Sequence, residues 1–96
     1  MKVVEVTPHF SKWFRGLRDH QARLRIQARI DRAEMGNYGD WKPVGNGVCE
    51  MRIHYGAGYR VYFIEHGKTT VVLLAGGVKA RQSGDIQTAI ALAENL

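Results

Sequence analysis

Ninety-six residues are enough for one domain and too few for two, so a single domain over residues 1–96 is expected. Hydrophobic residues at 45% and charged residues at 24% exclude a disordered chain, and one cysteine, Cys49, excludes an internal disulfide. Lys and Arg total 14 against 9 Asp and Glu, and the net charge of +5 favours polyanions or an acidic protein partner.

His9, His20, His54 and His66 are scattered, with no HxH or HExxH pair and no zinc-type spacing to Cys49, so no metal or cofactor is expected. The opening MKVVEVTPHF reaches charges and Pro8 too early for a signal peptide. No apolar run approaches the roughly 18 residues of a membrane span. A cytoplasmic protein without a membrane partner is the expectation.

In chain order, KVVEVT (Lys2–Thr7) is short and β-branched and predicts a strand. Thr7 then reads as a helix N-cap and Pro8 as the first helical residue, where a missing N–H is no loss. Phe10, Trp13, Phe14 and Leu17 recur at i, i+3, i+4 and i+7 and form one apolar face, which Gly16 weakens at its end. Asp19 is placed to cap a second helix with the stripe Ala22, Ile26, Ile30 and Ala33, widened by Leu24 and Ala28. Gly36 and Asn37 stop it. Arg23, Arg25, Arg29 and Arg32 lie off that stripe and predict a solvated basic face, open to nucleic-acid backbone or an acidic partner segment.

The stretch Gly36–Gly47 holds four glycines and Pro43 and reads as a loop, with room for a short strand around Trp41–Val44. VCEMRIHY, YRVYFIEH and TTVVLLAG follow as three strands of an antiparallel meander. Gly76-Gly77 is expected to break the last of them and to let the backbone approach a ligand. Ser83 or Asp85 is expected to cap a final helix with Ile86, Ala89, Ile90 and Ala93 on one side. The fold class is α+β in the order β-α-α-β-β-β-α. Two helices cover one sheet face, and the other stays open unless a partner covers it.

Side-chain alternation decides what that second face carries. A two-residue turn at Gly56-Ala57 would pair Ile53 with Arg60 and set a guanidinium among apolar residues, which is costly. A three-residue loop, Gly56-Ala57-Gly58, pairs Tyr55 with Tyr59, and Gly58 supplies the left-handed residue such loops need. Met51, Ile53, Tyr55, Tyr59, Val61 and Phe63 then face the helices. Arg52, His54, Arg60 and Tyr62 share the opposite face, with Glu50 at its edge and Lys79 arriving just after the neighbouring strand. Several cations so close together call for an anion.

The segments FSKWFRGLRD, GNYGD, KPVGNGVCEMRIHYGAGYRVYF and GGVKARQSGDIQTA, in this order and spacing, resemble the RelE/ParE superfamily of bacterial toxins. Within it the likeness is to the addiction module killer proteins, grouped with HigB-like toxins, and it spans almost the whole chain. The resemblance implies a RelE-like sheet flanked by helices and a type II toxin that cleaves mRNA in the ribosomal A site. It also implies a cognate antitoxin, typically a helix-turn-helix protein. The family's basic active-site positions fall on Arg52, Arg60 and Lys79. One departure stands out: where several relatives carry a tyrosine or histidine near the C-terminus, the place around Ile86 is apolar. Gyrase-directed inhibitors of the same superfamily, or a plain basic RNA-binding module, are the competing readings.

RNA cleavage needs no metal in principle, because the 2′-OH is a nucleophile held beside its own phosphate. Arg52 and Arg60 suit charge stabilisation on the phosphoryl oxygens. Lys79 adds charge or takes a proton. His54, with an unperturbed pKa near neutrality, is the candidate general acid or base. Glu50, Tyr62, Trp41, Arg81 and Gln82 complete the expected RNA-contacting set, with Tyr62 or Trp41 stacking on a base.

Overall fold

A computed structural model describes residues 1–96. The chain runs β1 (Val3–Val6), α1 (Pro8–Arg15), α2 (His20–Glu34), β2 (Trp41–Gly45), β3 (Val48–Ile53), β4 (Tyr59–His66) and β5 (Thr70–Val78). A 3₁₀ turn at Lys79–Arg81 leads into α3 (Gln82–Glu94). No helix is long and apolar enough to cross a membrane.

The expected caps form. Thr7 Oγ1 accepts from the Phe10 N–H at 3.0 Å, and Asp19 Oδ1 accepts from the Ala22 N–H at 3.1 Å. α3 begins earlier than Ser83 or Asp85 would set it. The 3₁₀ turn runs directly into its first turn, and no side chain caps it.

The class is α+β, but the sheet is mixed rather than antiparallel, with strand order β1-β5-β4-β3-β2. β1 lies parallel to β5, pairing Val3 with Thr70 through Val6 with Leu73. β5 is therefore an interior strand, and its residues from Val71 to Gly77 are all buried. The short strand near Trp41 forms and becomes the far edge, β2.

Layers follow from parity. On one face Phe10, Ile26, Ile30 and Ala33 pack over Met51, Ile53, Val61, Phe63, Val71 and Leu73. On the other, Val48, Tyr62, Val72, Leu74 and Ala75 lie under Ala89, Ile86 and Ile90 of α3. A register shift at Tyr62/Phe63 turns Leu74 and Ala75 together toward α3. The second face, expected open, is thus partly roofed by the chain's own last helix.

Gly76 and Gly77 do not break β5; they pair with Val61 and Arg60. Nor does a ligand explain their lack of side chains. A Cβ on Gly76 would sit 2.2 Å from the Trp13 ring, and one on Gly77 would sit 1.8 Å from Asp85 Oδ2. The two glycines admit α1 on one face and α3 on the other.

Two buried tyrosines set the alkaline limit. Tyr38 donates to Glu65 Oε2 at 2.7 Å, and burial together with that carboxylate raises its pKa. Tyr62 is raised by burial and by the charges of Glu50 and Asp85. A raised pKa means that the fold favours the protonated form. Their contribution is fully present below the ordinary tyrosine value of 10.0 and is lost as pH climbs through and beyond it. Urea midpoints should therefore hold steady up to about pH 9 and fall by about pH 11; a flat profile across that window would contradict this assignment.

Candidate anion site and adjoining cleft

Arg52 and Arg60 are direct cross-strand partners, flanked by the pairs Met51–Val61 and Ile53–Tyr59, with Glu50–Tyr62 the next pair on their own face. The register differs from expectation by two residues, because the strands close at Ile53–Tyr59 and leave His54–Gly58 as the loop. A shift of two preserves parity, so the division into apolar and cationic faces stands. Tyr55 and Tyr59, not paired in the ladder, still stack with centroids 6.4 Å apart.

Two like charges side by side need a reason to stay. Glu50 supplies it. Its side chain is 0% exposed beneath α3, and its Oε1 accepts from Arg52 Nε at 3.1 Å. Its Oε2 accepts from Gln82 Nε2 at 2.7 Å and lies 3.6 Å from Arg60 Nε. Glu50 was expected at the edge of the face and in contact with RNA; it is sealed inside and braces both guanidinium groups. Gln82, expected among the RNA contacts, instead completes that carboxylate's hydrogen bonding.

The brace hydrogen-bonds Arg52 Nε and faces Arg60 Nε only as a charge partner, and it leaves Arg52's terminal nitrogens and Arg60 Nη2 for other work. Arg60 Nη1 donates to Gly58 O at 2.7 Å, while Arg52's terminal nitrogens have no protein partner. The side chains are 30% and 11% exposed for Arg52 and Arg60, so the pair is half-sunk rather than free in solvent. Lys79 joins them. Gly58 has φ +75, and a Cβ there would meet Arg60 Nη1 and Lys79 Cβ at 3.2 Å each. Gly58 is what lets the turn carry Lys79 against Arg60, and the Lys79 N–H anchors the approach on Ala57 O at 3.3 Å.

Other expected members lie elsewhere. Tyr62 has Arg52 and Arg60 on its face, yet its side chain is fully buried and cannot stack on a base. Trp41 pairs with Met51, which puts it on the opposite face, where it is 44% exposed and edges against Tyr38 and Phe63.

His54 falls outside β3. The chain turns at once there, with the Tyr55 N–H on Ile53 O at 2.9 Å, so strand alternation no longer governs its direction. Its Nε2 meets Asp40 Oδ2 at 2.5 Å, and it lines a hollow with Arg25, Arg29 and Arg32 of α2. That hydrogen bond, then the Arg52 charge, holds the Asp40 carboxyl below its ordinary range. Loss of a true general acid or base costs about 10²–10⁴-fold. His54→Ala should fall well short of that in an RNA-cleavage assay, and a loss of that size would return His54 to the chemistry.

Arg29 also departs from expectation. It is buried, not solvated, and donates to the carbonyls of Arg52, Tyr38 (2.8 Å) and Asp40 (3.1 Å). It fastens α2 to the β2–β3 edge from which Arg52 projects. The spacing Ala22, Ile26, Arg29, Ala33 also fits one helix face, and that is the signal by which Arg29 could be placed inward despite its charge.

Beside the cation cluster lies a cleft of about 720 Å³ between α1 and α3. Gly76, Gly77, His9, Trp13, Arg81 and Asp85 line it. Arg81 was expected near the site; His9, Trp13 and Asp85 were not, since nothing in the sequence announces that α1 and α3 meet at the end of β5. Burial raises the Asp85 carboxyl, against the lowering pull of Arg81 and His9.

Residues 12–96 match the family of phage-derived Gp49-like proteins (DUF891), a family associated with RelE-like and other toxin-like proteins. An uncharacterised protein of Haemophilus influenzae (strain ATCC 51907 / DSM 11121 / KW20 / Rd) is 42% identical over 93 residues, covering 97% of this chain and 94% of its own. With the match running from α1 to the last residue, the chain belongs to the Gp49-like family.

Proposed function

We propose that this protein is the toxin of a type II toxin–antitoxin pair and acts as a ribosome-associated mRNA endoribonuclease. One observation carries the reading: Arg52 and Arg60, paired across adjacent strands, are held by the buried Glu50 with Lys79 beside them. The family's association with toxin-like proteins supports it.

In this reading a phosphate docks on the terminal nitrogens of Arg52 and Arg60, which remain charged at any physiological pH and match phosphate geometry. The 2′-OH of the preceding nucleotide attacks the phosphorus, the P–O5′ bond breaks, and a 2′,3′-cyclic phosphate and a 5′-hydroxyl result. The guanidinium groups stabilise the charge that grows on the non-bridging oxygens, and Glu50 keeps them from turning away. Lys79, exposed beside Arg60, adds charge or handles a proton. The ribosome presents the message, and an antitoxin, of the helix-turn-helix type in the resembling toxins, restrains the enzyme.

Controlled expression in a bacterial host, with 5′ ends of mRNA mapped before and after induction, tests the proposal. New internal ends and arrested translation are expected. Intact messages with DNA damage would instead favour a gyrase-directed inhibitor, and RNA bound but uncut would favour a binding module.

A further inference from the structure

Resting on that ribonuclease reading, we infer that the cleft between α1 and α3 is a nucleobase pocket that selects guanine next to the scissile phosphate. The placement comes first. Gly77, on the cleft floor, pairs with Arg60, and Arg81, on its rim, belongs to the same 3₁₀ turn as Lys79. Paired strand residues lie about 4.5–5.5 Å apart at Cα. The cleft floor thus lies one strand spacing from the Arg60 backbone, and in this inference a nucleotide with its phosphate on the cation cluster turns its base into the cleft.

The walls suit a flat, polar-edged ring. Trp13 rests on Gly76, where no Cβ intervenes, and also borders a second hollow over α1, so part of its ring stays open. Aromatic faces of this kind hold unstacked RNA bases. The floor is backbone. β1 pairs with β5 only as far as Leu73, so no strand lies beside Gly76–Val78, and in a strand alternate peptide groups must point outward there.

Chemistry then chooses the base. Asp85 lies over Gly77, fixed by the absence of a side chain on that residue. An ionised carboxylate only accepts, and it accepts best from two adjacent donors. Guanine offers them in N1–H and the N2 amino group. Adenine and cytosine set a ring acceptor beside their amino donors, and uracil flanks its single N–H with two carbonyls. Arg81, one helical turn before Asp85, is the partner for guanine O6 and N7. A base that donates twice to Asp85 also relieves the cost of burying that carboxylate.

The test uses guanosine 3′-monophosphate and its adenosine, cytidine and uridine counterparts, read by Trp13 fluorescence in a Trp41→Phe background. The guanosine nucleotide should quench at concentrations about tenfold or more below the other three. Asp85→Asn should erase that preference without lowering the melting temperature, because it removes a partly desolvated charge. Arg81→Ala, at an exposed position, should weaken guanosine binding selectively. Equal quenching by all four nucleotides, no quenching, or a guanosine preference that survives Asp85→Asn would overturn the inference. Selective binding with intact mRNA would sink the ribonuclease reading and leave the pocket standing. Cleavage without guanine bias, together with equal nucleotide binding, would do the reverse.

Discussion

Arg60→Ala is expected to abolish mRNA cleavage, with a loss of about 10²–10³-fold or more, the usual cost of removing one preorganised stabiliser of developing charge. Arg60 has the less exposed of the two guanidinium groups and touches both Glu50 and the turn that delivers Lys79. Alanine, however, also strips a partner from a buried carboxylate. Arg60→Lys separates the effects. It keeps a cation near Glu50 and so should melt closer to wild type, yet it lacks the planar fork that grips a phosphate, and cleavage should remain strongly impaired. Full activity in either variant would remove Arg60 from the chemistry.

Glu50→Ala should cause the largest loss of stability, about 3–5 kcal/mol, because it leaves two neighbouring guanidinium groups without their shared counter-charge. Against a total stability of about 5–15 kcal/mol, that brings the protein close to unfolding at growth temperature. Equilibrium denaturation in urea measures it. A second substitution distinguishes a brace from an ordinary polar contact. Arg60→Met in the Glu50→Ala background removes one of the two stranded charges and should recover part of the stability, while cleavage stays absent. If Glu50→Ala shifts the midpoint by less than about 1 kcal/mol, Glu50 is not what holds the arginines together.

Much of this arrangement was legible in the sequence, and the reason is parity. Strand side chains alternate with period two, so the apolar run Met51, Ile53, Val61, Phe63 fixed which residues face the first two helices. It thereby puts Arg52 and Arg60 together even though the hairpin loop is two residues longer than the expected Gly56–Gly58. The caps at Thr7 and Asp19 were equally local, each needing only the next turn of helix.

What escaped depends on distant elements. The parallel pairing of β1 with β5 joins segments 67 positions apart, as in Val3–Thr70, and only the unbroken apolar run of β5 hinted at an interior strand. The burial of Glu50 and Tyr62 depends on α3 folding back over the sheet, which turned an expected open face into a roofed one. Arg29 was hidden by its charge, since hydrophobic periodicity counts an arginine as outward-facing even where its head group meets three carbonyls. His54 escaped strand parity because β3 ends at Ile53 and the chain turns there, whereas the run VCEMRIHY extends two residues further.

The proposed cleavage turns on the braced arginine pair activating a phosphate toward the neighbouring 2′-OH. The most direct measurement is the chemistry of the ends made when purified protein meets translating ribosomes carrying a defined message. A 5′-hydroxyl on one fragment and a 2′,3′-cyclic phosphate on the other, with no cut where a single 2′-deoxynucleotide replaces the attacking residue, is the predicted result. Fragments with 5′-phosphates, or cleavage that persists past the 2′-deoxy substitution, would contradict it.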